Sequence, residues 1–120
     1  MTTPRVLRSP TLEDRVIVLV DPADSAGELF RFEYVARSVT PAPPDHVHTD
    51  QEERVEVLEG TLNCRIAGRE HVLRPGDRLV IPPGTSHTLW NADPSGSRSI
   101  GEFTPALHAL TMFETVFNAV

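Results

Sequence analysis

Two polar stretches, spaced H-x-H-x4-E-x6-G and G-x5-P-x-G-x2-H-x3-N, constrain this chain more than any other feature. The first runs from His46 to Gly60 and the second from Gly76 to Asn91. Together they supply three imidazoles and one carboxylate, from His46, His48, His87 and Glu53. That donor set suits one divalent transition metal such as Fe, Mn, Ni, Zn or Cu. The flanking alternation and turn residues demand strands, so the candidate ligands must meet inside a β structure.

The spacing has a physical basis. Residues i and i+2 of an extended strand share a face, so His46 and His48 aim the same way. Glu53 stands at an odd separation from His48 and reaches the same point only if the chain turns at Thr49-Asp50-Gln51. Beyond it Glu53, Val55 and Val57 share one face, which makes the ligand face otherwise apolar. Gly60 ends this strand in a turn. In the second stretch, Arg74-Pro75-Gly76-Asp77 and Pro82-Pro83-Gly84 are turns around the short apolar strand Leu79-Val80-Ile81. His87 then opens a strand, with Leu89 and Asn91 on its face.

The rest of the chain reads as further short strands between turn clusters, the pattern of an all-β sandwich or barrel. Val16 to Val20 is expected as a buried strand and Asp21 to Gly27 as a loop. Phe30, Phe32, Tyr34 and Ala36 share one face of a strand reaching Arg37. Thr40 to Asp45 is a proline-rich turn. Leu62, Cys64 and Ile66 share a strand face before a hairpin turn at Ala67 to Glu70. Asn91 to Arg98 reads as a loop. Leu107 to Val120 has helical spacing and an amphipathic pattern, so it is expected to pack on the barrel or on a partner.

Composition excludes several functions. With 120 residues, a single domain over 1–120 is expected. The net charge of −6 argues against nucleic-acid binding. No apolar run is long enough for a membrane span. Met1-Thr2-Thr3-Pro4-Arg5 lacks the apolar core of a signal peptide, so a cytoplasmic location is expected. All 11 basic residues are arginine, which removes a Schiff-base lysine from consideration. The lone Cys64 allows no intrachain disulfide and reads as a small core hydrophobe. His71 and His108 lie outside both stretches and read as surface or packing residues. Asp50, Gln51, Glu52 and Arg54 read as solvated rim.

The two stretches resemble the signature motifs of the cupin superfamily, motif 1 over about 40–60 and motif 2 over about 76–91. The second motif matches at Gly76, Pro82, Gly84, His87 and Asn91. The first matches at His46, His48, Glu53 and Gly60 but has Thr40 in place of its leading glycine. Pro41, Pro43 and Pro44 must shape that turn instead. Phe30 to Arg37 resembles the strand before the first motif. Phe103 to Leu107 and Met112 to Phe117 resemble a closing strand and terminal helix, so the resemblance reaches roughly three quarters of the chain. It implies a double-stranded β-helix, a jelly-roll barrel of two antiparallel sheets, with a C-terminal helix over about 106–118. It also implies a homodimer, with the N-terminal strand or the C-terminal helix at the interface.

Four protein ligands leave about two adjacent positions on an octahedral metal. A small-molecule substrate with oxygen donors would fill them. With Fe(II) the site would be that of an oxidoreductase, a non-haem dioxygenase acting on an enolic, diketone or phenolic metabolite. With Mn, Ni or Zn it would polarise a carbonyl for isomerase, cyclase or decarboxylase chemistry. A cupin that binds a small molecule without turning it over is the third reading. The sequence singles out no catalytic residue beyond the ligands.

Overall fold

A computed structural model describes residues 5–119. Met1 to Pro4 and Val120, which belong to the leader and tail expectations above, lie outside the described residues. Ten strands form two antiparallel sheets, β1 (Val6–Arg8), β2 (Arg15–Val20), β3 (Phe30–Ala36), β4 (Glu52–Glu59), β5 (Leu62–Ile66), β6 (Arg69–Leu73), β7 (Arg78–Ile81), β8 (His87–Trp90), β9 (Ser97–Thr104) and β10 (Asn118–Ala119). The larger sheet has the order β10-β1-β2-β3-β9-β4-β7 and the smaller β6-β5-β8. This is the expected jelly roll. Among the described residues a single α-helix, α1 (Ala109–Val116), follows β9. No helix among the described residues is long and apolar enough to cross a membrane.

Strand alternation builds the interior. Val55 and Val57 of β4 face Leu62 and Cys64 of β5 in one apolar cluster between the sheets. Cys64 is fully buried there, as expected of a core residue, and burial pushes its thiol pKa up. Gly60 closes the β4–β5 turn at φ +70°, and a Cβ there would meet the Gly96 carbonyl oxygen at 2.2 Å. Only glycine satisfies both conditions. A second cluster joins Phe30, Phe32 and Phe103 of the large sheet to Ala109 and Leu110 of α1. The helix therefore packs on the barrel.

Several expectations change. Val16 to Val20 is half-buried rather than buried, because its alternation leaves Leu19 44% exposed. Pro22–Ser25 within the expected loop forms a short 3-10 turn capped by the Asp21 side chain. The helix is shorter than 106–118, ending at Val116. Phe117 leaves it in an extended conformation and is buried against Tyr34, and the chain returns as β10 beside β1. The largest change is β9, which begins at Ser97 inside the expected loop and lies between β3 and β4 in the large sheet. Its inward residues are Ser97, Ser99, Gly101 and Phe103. The closing strand expected from Phe103 to Leu107 is thus shifted toward the N-terminus and ends at Thr104, because serine and glycine are poor strand signals and hid its first part.

Candidate metal centre

His46 forms an isolated antiparallel bridge with His87, and the two exchange both backbone hydrogen bonds at 2.9 Å. Directly paired residues project their side chains to one side. This single register brings the first histidine of motif 1 onto the histidine of motif 2. His48 follows two residues later, its carbonyl accepting from the Gly84 amide at 2.8 Å. The ring centroid of His87 lies 4.4 Å from that of His46 and 5.2 Å from that of His48. One nitrogen from each of the three rings lies within 4.8 Å of the others. Metal bonds of about 2.1 Å place adjacent donors ~3 Å apart and opposite donors ~4 Å apart, so this cluster needs only a small contraction to hold an ion.

Glu53 enters from the opposite sheet, near the start of β4, where it pairs with Ile81 of β7 and Phe103 of β9. Its Oε1 lies 3.2 Å from His87 Nε2 and 3.8 Å from His48 Nε2. The turn that lets Glu53 arrive on this side is anchored by Gln51. The Gln51 amide donates to the Pro105 and Ala106 carbonyls, both at 2.9 Å. Gln51 was expected at the solvated rim, yet it is buried. Its two carbonyl partners, 54 and 55 residues away in the chain, are the reason. Sequence reasoning had no local signal for them.

Electrostatics differ among the rings. Burial lowers the His48 pKa, and the nearby His46 and His87 lower it further against the pull of Glu53. Burial also opposes charge on His87. The Glu53 hydrogen bond, the Thr85 carbonyl and the charges of Glu53 and Asp45 outweigh it and raise the His87 pKa. His87 Nδ1 lies 2.8 Å from the Thr85 carbonyl, so it donates there and turns Nε2 toward Glu53. Such a fixed tautomer presents the imidazole as a ligand.

The cluster opens into a cavity of about 410 Å³ between the sheets. Phe32, Leu89, Phe103 and Phe113 make most of its middle apolar, and Pro41 and Pro43 flank it. The proline-rich segment is tied to β8 by the Thr40 amide, which donates to the Asn91 carbonyl at 3.2 Å. A second polar group sits in the cavity wall: the Tyr34 hydroxyl donates to Asp14 Oδ2 at 2.9 Å. Nothing in the spacing around Asp14 flagged it. His71 and His108 are exposed and take no part in the site.

A trio of histidines from two glycine-bounded motifs, facing a carboxylate across a jelly roll, defines a class. The chain belongs to the cupin family: the Cupin_2 model, a cupin domain, matches residues 37–98. It is 38% identical over 64 residues to quercetin 2,3-dioxygenase of Bacillus subtilis, covering 53% of this chain and 19% of that enzyme. The chain thus spans about a fifth of the length of the curated relatives it matches. Among solved structures, an RmlC-like cupin of Shewanella frigidimarina is similar with a TM-score of 0.69 at 21% identity, covering 87% of this chain and 86% of that one. The polyketide cyclase RemF of Streptomyces resistomycificus is similar with a TM-score of 0.65 at 25% identity, covering 78% and 66%.

Proposed function

We propose that the chain holds one divalent transition metal between His46, His48, His87 and Glu53 and acts there on a small enolic, diketone or phenolic metabolite. The observation that carries this reading is the three imidazole nitrogens within 4.8 Å of one another, with Glu53 beside them, at the wall of a largely apolar cavity. Three neutral imidazoles and one carboxylate would leave a divalent centre with net charge of about +1, which favours an anionic oxygen donor. Fe(II) in this place would supply redox chemistry with dioxygen, and Mn, Ni or Zn would supply Lewis-acid polarisation. The protein's own groups do the rest. The Thr85 carbonyl holds His87 in one orientation. Phe32, Phe103 and Phe113 keep water from the bound substrate. With no lysine in the chain, a proton released by an enolic substrate must pass to an imidazole or a carboxylate, and Glu53 is the carboxylate at hand.

Similarity to a dioxygenase over 64 residues favours the dioxygenase reading, in which both atoms of dioxygen end in the product. Similarity to a polyketide cyclase supports the redox-neutral alternative. The test begins with elemental analysis of protein purified without added ions, where about one metal per chain is expected. Oxygen uptake with Fe(II) and a panel of enolic and carboxylate compounds then separates the two. Product without oxygen uptake selects the Lewis-acid enzyme. Saturable binding with neither selects a binding cupin. Protein that retains no ion after incubation with Fe, Mn, Ni and Zn overturns the reading.

We further propose a cytoplasmic homodimer joined through α1 and its approach. Leu107, Met112 and Val116 are 55%, 47% and 57% exposed, a run of apolar surface that a second copy would cover. β1 is already paired on both sides, by β2 and β10, which leaves the helix as the better face. A monomer mass by light scattering at micromolar concentration would refute it.

A further inference from the structure

The inward face of β9 carries serines where a jelly-roll interior normally carries apolar side chains. Ser97 and Ser99 are 5% and 7% exposed and line the cavity, and no hydrogen bond among the described residues uses either hydroxyl. Both side chains border the cavity, so a bound molecule can reach hydroxyls that no protein group holds. In the strand register Ser99 lies directly opposite Tyr34 of β3, and Ser97 opposite Ala36. The Tyr34 proton is already committed to Asp14 Oδ2. Asp14 in turn accepts from the Arg37 and Ser38 amides, at 2.8 and 3.1 Å. The Tyr34 oxygen therefore has only lone pairs left to offer, beside a buried carboxylate.

We propose that Ser97, Ser99 and the Tyr34 oxygen form a second subsite, at the end of the cavity away from the metal cluster, that recognises a neutral hydroxyl of the substrate. It rests on the metal reading only for the other end of the ligand. A hydroxyl matches the three groups: it donates to the Tyr34 oxygen and accepts from a serine. A carboxylate or phosphate does not, because it has no proton to give and would sit beside Asp14. Position sets the length of the ligand. Phe103 is paired with Glu53, and Ser99 is four residues back along β9, or about 13 Å of strand. Between the two ends the wall is Phe32, packed over Gly101, where a Cβ would come within 2.3 Å of the ring. The substrate class is thus an elongated ring compound with an oxygen donor at one end and a hydroxyl at the other.

The test uses Co(II)-loaded protein and three probes: 4,4′-dihydroxybiphenyl, 4-hydroxybiphenyl and 4-hydroxy-4′-methoxybiphenyl. Affinity is read by calorimetry and metal contact by the Co(II) absorption spectrum. The dihydroxy probe should bind about ten-fold more tightly than the other two, as expected for two added neutral hydrogen bonds. Ser99→Ala and, separately, Tyr34→Phe should erase that preference while leaving the affinity for 4-hydroxybiphenyl within about two-fold. The Co(II) spectrum of each variant confirms that its site is intact. Equal affinity for all three probes while each perturbs Co(II), failure of any to bind, or a preference that survives both substitutions overturns the proposal. If no probe perturbs Co(II) and Ser99→Ala weakens all three alike, each probe has its hydroxyl in the subsite, so the subsite stands and the metal reading fails.

Discussion

The two ends of the cavity solve the problem of buried polar groups in opposite ways. At the metal end, His48 and His87 crowd against Glu53, whose charge acts on both rings, and an ion would relieve the crowding. At the other end, Tyr34 donates to Asp14 within the protein, and the Tyr34 lone pairs and the Ser97 and Ser99 hydroxyls are left open. The first end is held by a bridge between two loops and strand termini, the second by long central strands under α1. The lesson is that the reactive end is built from short local pieces, and the end that would measure the ligand is built into the sheet.

The sharpest separation of the two ends comes from the packing beneath α1. Phe30 is fully buried and stacks on Phe32 at 4.9 Å, with Phe113 at 5.9 Å. Phe30→Ala should cost about 3–5 kcal/mol in urea unfolding. Metal stoichiometry should be unchanged under native conditions, and loss of the ion would show that the two ends are coupled. Next come the candidate ligands. His48→Ala and His87→Ala should each weaken metal binding by more than about 100-fold, beyond the usual effect of losing a residue that only supports a ligand. Circular dichroism should stay close to that of the parent. Wholesale unfolding of both variants would make the site structural instead.

Gln51 links the ends, because it joins the turn between His48 and Glu53 to the segment leading into α1. Gln51→Leu leaves the Pro105 and Ala106 carbonyls without their partner and should cost about 1–3 kcal/mol in chemical denaturation. A loss below a few tenths would mean that water replaces the amide. The smallest effect concerns alkaline pH. Burial first, then the charge and hydrogen bond of Asp14, raise the Tyr34 pKa above its usual value near 10. The folded state therefore keeps a proton that the unfolded chain releases. Stability from this group is complete below about pH 10 and falls above it, by at most about 1.4 kcal/mol per pH unit. Tyr34→Phe should flatten that part of the profile of denaturation midpoint against pH. An unchanged slope would assign the alkaline loss to other groups.

Much of the metal end is legible in the amino-acid order. The alternation of Glu53, Val55 and Val57, the turn at Gly60 and the i, i+2 spacing of His46 and His48 all describe neighbours in sequence. The first part of β9 is not legible there, because Ser97, Ser99 and Gly101 carry no apolar alternation. Nor is the end of α1, since Phe117 leaves the helix to bury its ring against Tyr34, a partner far away in the chain.

By itself the sequence determined the strand-and-turn framework, because strand alternation and turn chemistry act over a few residues, and its two motifs carried the family resemblance and the four candidate donors. Only the tertiary structure decided that Gln51 is an anchor, that Tyr34 is bound to Asp14 and that two serines face the cavity beside it. Those relations arise from cross-strand register and from hydrogen bonds between distant segments. Such contacts are fixed by how the whole barrel closes, which no local pattern records.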